Sequence, residues 1–320
     1  MAVRVSNSRL DAALREGLDG GVIRRVLVGL DGSAAAERAL PWVRAVAPGA
    51  ELVLARVLVP VAAPSAEGAL SMPLFLDDPA EEYLARLAGS LRPRPSTVVR
   101  VGSPAGTLLE IARDERCDLV AVTTRGGGRL RRRLLGGTTE NLLHHGDLPL
   151  LVVPAWARPP RRGIRRIAVP LDGSAAAERA LPLARFVARK AEASILLVHC
   201  AQEIEEMERL HADLWGAVRR TPEILALERA LERLRRDLVR RFGRLAQRLE
   251  RAGVRGAEAL FVRGPFPEEF LRAVRRRGAD LVALCVRGHG ALRHALLGSK
   301  TSRLVQSAPV PVLVTRGDRS

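Results

Sequence analysis

The 320-residue chain is short of cysteine, aromatic residues, lysine and long apolar runs, and each shortage excludes something. Cys117, Cys200 and Cys285 are too few and too scattered for a disulfide framework, and no CxxC pair offers the spacing of a structural zinc site. A reducing compartment is the expectation. No stretch reaches the roughly 18 uninterrupted apolar residues of a membrane helix, because Arg56, Pro60 and Pro64 break up the richest region. The N-terminal segment sets Asp11, Arg15, Glu16 and Asp19 among short apolar groups and has no signal-peptide core. A cytoplasmic location without a membrane partner is therefore expected. Aromatic residues make up 3% of the chain, which leaves few platforms for stacking bases. Lys190 and Lys300 are the only lysines, so the net charge of +17 is carried almost entirely by arginine. That one-sided usage reads as codon bias in a GC-rich genome rather than as a phosphate-tracking surface, and nucleic acid is not the expected partner.

What remains is the composition of a folded protein, 47% hydrophobic and 27% charged, at a length that suits two domains of about 150 residues. An internal repeat supports the division. The run from Leu30 to Pro41, Leu-Asp-Gly-Ser-Ala-Ala-Ala-Glu-Arg-Ala-Leu-Pro, recurs residue for residue from Leu171 to Pro182. Each copy follows an apolar run, Arg25 to Val28 or Arg166 to Val169, and precedes an Ala-rich amphipathic stretch, which reads as strand, turn, helix. Cys117–Val122 pairs with Ala279–Leu284, and both halves close on short apolar runs, Pro149–Val153 and Pro311–Val314. Continuous apolar runs alternating with helical patterns indicate a parallel sheet covered on both faces. Asp31 and Asp172 are 141 positions apart but Gly126 and Gly288 are 162 apart, so the second copy carries about 21 extra residues. They fall after its second strand, where Ile224, Leu227, Leu231, Leu234, Leu238, Phe242, Leu245 and Leu249 mark a long amphipathic helix. Thr221 and Pro222 suit its start and Gly253 its end. Its stripe is expected to pack on the partner domain or on a second molecule. The expected division is an extension over 1–22, a first domain over 23–156, a linker over 157–163 rich in Pro and Arg, and a second domain over 164–320.

After the fourth strand each copy has a glycine-rich loop leading into a helix. The first reads Thr123-Thr124-Arg125-Gly126-Gly127-Gly128, then Gly136-Gly137-Thr138-Thr139. The second reads Cys285-Val286-Arg287-Gly288-His289-Gly290, then Gly298-Ser299-Lys300-Thr301. Glycines let the backbone approach a phosphate, free N–H groups at a helix start hold its oxygens, and hydroxyls add donors. Loops after parallel strands open at the carboxyl edge of the sheet, where open α/β folds bind ligands and where Asp31 and Asp172 also sit.

On these residues the chain resembles the universal stress protein family over 23–316. Members that bind ATP carry a glycine, two residues, a glycine, nine residues, a glycine and then Ser or Thr. The second copy matches at Gly288, Gly298 and Ser299 but has Cys285 at the first glycine. The first matches at Gly126 and Gly136 but has Thr123 at the first glycine and Gly137 at the hydroxyl position. The resemblance implies a doubly wound five-stranded parallel sheet per copy, order 3-2-1-4-5, with the last strands pairing between domains in a pseudo-twofold unit. It implies Asp31 and Asp172 at the ribose, the backbone near Val57 and Cys200 at the adenine, and the loop residues at the phosphates. In the second copy these are Arg287, Gly288, Gly298, Ser299, Lys300 and Thr301; in the first, Arg125, Gly126, Gly136, Gly137, Thr138 and Thr139.

Plainer roles stand beside these. An Asp-Gly-Ser turn caps a helix without any ligand. His144 and His145 sit at a helix end, where a cation is favoured. His199 and Cys200 are adjacent on a strand, point to opposite faces and cannot share a metal. Cys285 would be redox-sensitive only with a lowered pKa. No paired carboxylates, nucleophile with a base, or metal cluster recurs in both copies, which argues against a conventional enzyme. The favoured reading is an ATP-binding regulatory protein of the stress response, with Mg2+ accompanying the nucleotide and binding stronger in the second copy. Its alternatives are slow ATP hydrolysis and an interaction scaffold without nucleotide. Beyond the intramolecular pair, a homodimer and an unidentified protein partner are open.

Overall fold

A computed structural model describes residues 23–60, 79–124, 136–201, 222–286 and 299–316. The first half runs β1 (Arg25–Gly29), α1 (Ala39–Val46), β2 (Glu51–Leu58), α2 (Ala80–Ser90), β3 (Ser96–Val101), α3 (Pro104–Asp114), β4 (Leu119–Thr123), α4 (Gly137–His145) and β5 (Leu150–Val153). The second runs β6 (Arg166–Pro170), α5 (Ala175–Glu178), α6 (Leu181–Lys190), β7 (Ser194–Cys200), α7 (Pro222–Arg251), β8 (Ala257–Val262), α8 (Glu268–Arg276), β9 (Leu281–Val286), α9 (Ser299–Ser307) and β10 (Val312–Arg316).

The expected order 3-2-1-4-5 appears in each half, with all pairs inside a half parallel. The halves do not keep separate sheets, because β5 and β10 pair antiparallel, Val152 opposite Val312, Leu151 opposite Leu313 and Leu150 opposite Val314. One ten-stranded sheet results. Its inner strands are apolar on both faces because helices cover both. Leu40, Trp42, Val43, Leu84, Leu181, Val187 and Phe242 pack on one side, and Leu108, Ile111, Leu142, Phe270, Val274 and Leu304 on the other. Each fully buried Val, Leu or Phe contributes about 1.5–3 kcal/mol.

At the strand starts both copies use the same device. Asp118 Oδ2 accepts the backbone N–H groups of Arg24 and Arg25 at 2.7 and 3.0 Å, and Asp280 Oδ2 accepts those of Arg165 and Arg166 at 2.8 and 3.2 Å. The carboxylates thereby tie β4 to the entry of β1 and β9 to the entry of β6.

The long helix is present over Pro222–Arg251, and Gly253 beyond it has φ +87, a left-handed value suited to glycine. Thr221 lies outside the described residues. The stripe corrects the expectation that it would serve another body: Phe242, Leu245, Ala246 and Leu249 are buried in their own half, in the layer that also covers β7. The crossover after β7 needs a helix at that place as much as the crossover after β2 needs α2. Ala226, Arg229, Ala230 and Glu232 to Asp237, earlier in the helix, are exposed.

Candidate functional site

β1 has β2 on one side and β4 on the other, and β6 likewise lies between β7 and β9. The chain order switches beside β1 and β6, so a crevice opens at their carboxyl ends. Asp31 and Asp172 stand at those ends, both exposed. Asp31 Oδ1 accepts the N–H of Ser33 at 3.0 Å and its hydroxyl at 2.6 Å, while Ser33 Oγ accepts the N–H of Ala36 at 3.1 Å. Asp172 Oδ1 accepts the N–H of Ser174 at 2.8 Å, and Ser174 Oγ accepts the N–H of Ala177 at 3.2 Å. In the second copy the serine is thus the cap of α5 and the aspartate its brace, which fills the capping role read in Asp-Gly-Ser; in the first copy the same bonds close the turn that leads into the helix. Gly32 and Gly173 between them have φ +87 and +83, which an L side chain rarely adopts.

What lies against these turns differs between copies. The Arg56 guanidinium rests over Gly32, where a Cβ would meet Nη1 at 3.0 Å, and its Cζ is 5.4 Å from the Tyr83 ring centroid. Burial, and next the charge of Glu37, push the Tyr83 hydroxyl above its ordinary range. At Gly173 the neighbour is apolar, Leu238 Cδ2 at 3.2 Å from the same point. Glu178, the counterpart of Glu37, is buried on the inner side of α5 and accepts from Arg241 Nη2 at 2.6 Å. Burial holds its carboxyl above the usual range even so, with Arg241 pulling the other way. His199 occupies the position of Arg56 in the strand register, donates from Nδ1 to Leu171 O at 2.8 Å and packs between Phe242 and Phe261.

Val57 and Cys200 end β2 and β7, half-buried. Cys200 packs into the opposite layer from His199, as the alternation of a strand demands. Burial, and secondarily Glu269, push its thiol up to about 12. Thr123 and Cys285 lie in β4 and β9, half-buried. Thr124 is buried and its Oγ1 accepts the N–H of Ala155 at 3.2 Å. Arg125, Gly126, Arg287, Gly288 and Gly298 lie outside the described residues.

The loops re-enter at helix starts. Gly136 is the N-cap of α4, and Gly137, Thr138 and Thr139 make its first turn; Ser299, Lys300 and Thr301 make the first turn of α9. The first N–H groups of a helix have no internal partner and form the positive end of its dipole. The two turns are unequal. That of α9 has exposed Ser299 and Lys300 and no acid, whereas that of α4 holds Glu140, buries Thr139 and has Gly137 where a hydroxyl would be. A Cβ on Gly137 would meet nothing within 4 Å.

Among the described residues no group of His, Cys, Asp and Glu could hold a metal ion, and no helix is long and apolar enough to cross a membrane. A cavity of about 590 Å³ lies elsewhere, under the linker, walled by Trp42, Trp156, Arg161 and Pro309 among others, and no candidate nucleotide residue lines it. Sequence reasoning gave no site role to Arg56, Glu178 or Arg241, and placed Leu238 only in the apolar stripe of the long helix. The identical glutamate in both repeats was the one signal for the first pair of neighbours; nothing marked the others.

The profile of the universal stress protein family matches residues 23–154 and again 163–316. A universal stress protein of Mycolicibacterium smegmatis is 28% identical over 306 residues, covering 91% of this chain and 96% of the relative. One from Mycobacterium tuberculosis is 28% identical over 309 residues, with the same coverage. Among solved structures, a universal stress protein from Archaeoglobus fulgidus superposes with a TM-score of 0.64 at 19% identity, covering 91% of this chain and 98% of that one, which speaks for the fold alone.

Proposed function

The chain belongs to the universal stress protein family, and on that footing we propose that it is a stress-response protein that binds an adenine nucleotide in its second half and changes conformation or partners with occupancy. The observation that carries the reading is the start of α9. Ser299 and Thr301 offer hydroxyls, Lys300 a positive charge and the helix its free N–H groups, at a turn with no acid. A triphosphate with Mg2+ suits that donor set. Asp172 at the end of β6 and the backbone near Cys200 would take ribose and adenine. In the first half, Asp31, Val57 and the Gly136 to Thr139 turn offer a weaker version, because Gly137 removes a hydroxyl and Glu140 adds a negative charge.

A hydroxyl bonded to a charged phosphate contributes about 1.5–3 kcal/mol, or roughly 10- to 100-fold in affinity. Ser299→Ala should weaken ATP binding by that factor in calorimetry, and mass spectrometry should find ATP or AMP released from the purified protein. Gly137→Ser in the first half has open space for its side chain and should strengthen the weaker site by about tenfold. Unchanged affinity in both variants removes the phosphate role from these turns. The scaffold reading then leads, and Arg56 over Gly32 and Leu238 against Gly173 favour it, since each covers a turn assigned to the ribose.

A further inference from the structure

The cavity under the linker is built from residues that the repeat does not share. Its volume of about 590 Å³ falls within the range of about 300–1,000 Å³ usual for small-molecule sites. Two of the chain's three tryptophans line it: Trp42 from α1, which is buried, and Trp156 from the segment leaving β5, which is half-buried. Trp42 stands where the identity between the copies ends, since Pro41 is followed by Trp42 but Pro182 by Leu183. The duplicated turn thus leads to a large flat ring in one half only.

Four arginines, Arg158, Arg161, Arg162 and Arg165, line the same cavity against one acid, Asp280. That acid is already engaged, because its Oδ2 accepts the N–H groups of Arg165 and Arg166 and lies 3.9 Å from Arg165 Nε. Among the described residues no group bonds or pairs with the side chains of Arg158, Arg161 or Arg162. The segment that carries them is fastened at both ends. Ala155 donates its N–H to Thr124 Oγ1 and accepts from the Arg38 guanidinium, and the N–H of buried Ala157 donates to Pro154 O at 2.8 Å. At the other end Ile164 is buried in the core. Between them Pro159 and Pro160 restrict the backbone, and Gly163, at φ +68, turns its N–H onto Pro160 O at 3.4 Å. Held in this way, the three arginines give up little freedom on meeting a ligand.

Unpaired cations beside flat apolar rings suit one class of ligand. A guanidinium takes a carboxylate or phosphate through two parallel N–H bonds, and an indole offers its face to another ring. We propose that this cavity binds a small planar aromatic anion, its carboxylate or phosphate on the linker arginines and its ring against Trp42 and Trp156. Both halves wall the site, since Pro309 and Val310 enter it from the segment before β10. Nothing in this depends on the nucleotide reading, whose residues lie elsewhere.

Calorimetric titration of the full chain tests it with 2-naphthoate and 2-naphthyl phosphate as probes. At least one should bind with a dissociation constant below about 0.1 mM, a range open to ligands of that size. Uncharged 2-naphthol, and acetate and inorganic phosphate without the ring, should bind at least about tenfold more weakly. Arg161→Ala with Arg162→Ala should weaken the probe about tenfold or more, and both residues are exposed, so the fold stays intact. Trp156→Ala should weaken it similarly. A net charge of +17 attracts any anion, so Arg235→Ala with Arg236→Ala, exposed on α7, removes the same charge at a distance and should leave the affinity unchanged. Ser299→Ala, which tests the nucleotide reading, should leave it unchanged as well. No binding of either probe, equal binding of 2-naphthol, acetate or inorganic phosphate, indifference to the Arg161 and Arg162 pair, or an equal loss from the α7 pair or from Ser299→Ala overturns the proposal.

Discussion

Arg241→Leu isolates what the long helix contributes to its own half. Glu178 has a 4% exposed side chain and takes its hydrogen bond from Arg241, which is itself 36% exposed. Removing one partner of a buried pair costs about 3–5 kcal/mol. The outer end of this pair is wetted and screened, so about 2–3 kcal/mol is the expected loss near neutral pH. For a body of this size that is a fall of about 5–10 °C in thermal midpoint. The pH dependence gives the sharper signature. Burial already holds the Glu178 carboxyl above its usual range, and Arg241 is the largest influence lowering it. A carboxyl raised on folding adds stability that is complete below its unfolded pKa and is lost as pH rises through the folded value. Without Arg241 the folded value climbs further and the loss deepens. Thermal scans by circular dichroism at about pH 5 and about pH 8 should show a larger deficit at the higher pH, and Glu178→Gln in the Arg241→Leu background should recover most of it. A deficit below about 1 kcal/mol, or one equal at both pH values, refutes the reasoning.

Native labelling of thiols should leave Cys117 and Cys200 untouched at pH 8, since burial pushes them up to about 11 and about 12. At Cys200 the thiolate is about a thousandfold scarcer than on a thiol of ordinary pKa near 9; mass-resolved alkylation that modifies it as fast as unfolded protein would contradict the burial. Leu313→Ala, at a fully buried site in the β5–β10 seam, should cost about 2–5 kcal/mol and lower the unfolding midpoint of both halves together in calorimetry, because each half uses that seam as its sheet edge. Two separated transitions would show that the halves fold independently of it.

The repeat made the strand order legible, because identical turns after β1 and β6 and matching apolar runs leave few ways to thread two like halves. The pairing of β5 with β10 followed from two similar final strands, each with an edge to cover. The contacts over Gly32 and Gly173 were not legible. Arg56 lies on the next strand and Leu238 on a helix some 65 positions downstream, so nothing local in Asp-Gly-Ser reports which neighbour arrives. Nothing in the Ala-rich run around Glu178 tells of its burial, because its partner Arg241 comes 63 positions later. The long helix was found by its apolar spacing, but the packing of Phe242, Leu245 and Leu249 on their own half was not, because spacing marks an apolar face without saying what it meets. The unequal hydroxyl positions, Gly137 against Ser299, were readable directly, since a missing side chain needs no structure to be noticed.

The antiparallel seam of β5 and β10 turns the two halves end for end. The carboxyl ends of β1 and β4 therefore open on one rim of the sheet and those of β6 and β9 on the opposite rim. Two nucleotides bound at the two sites would face away from each other across the full height of the sheet, out of reach of any one small ligand and of any one compact partner domain. Leu238 of α7 lies against Gly173, so the helix reaches the second half's rim at the turn that carries Asp172. A protein docking there meets Asp172 and the long helix together, whereas one docking on the other rim meets Asp31 under Arg56.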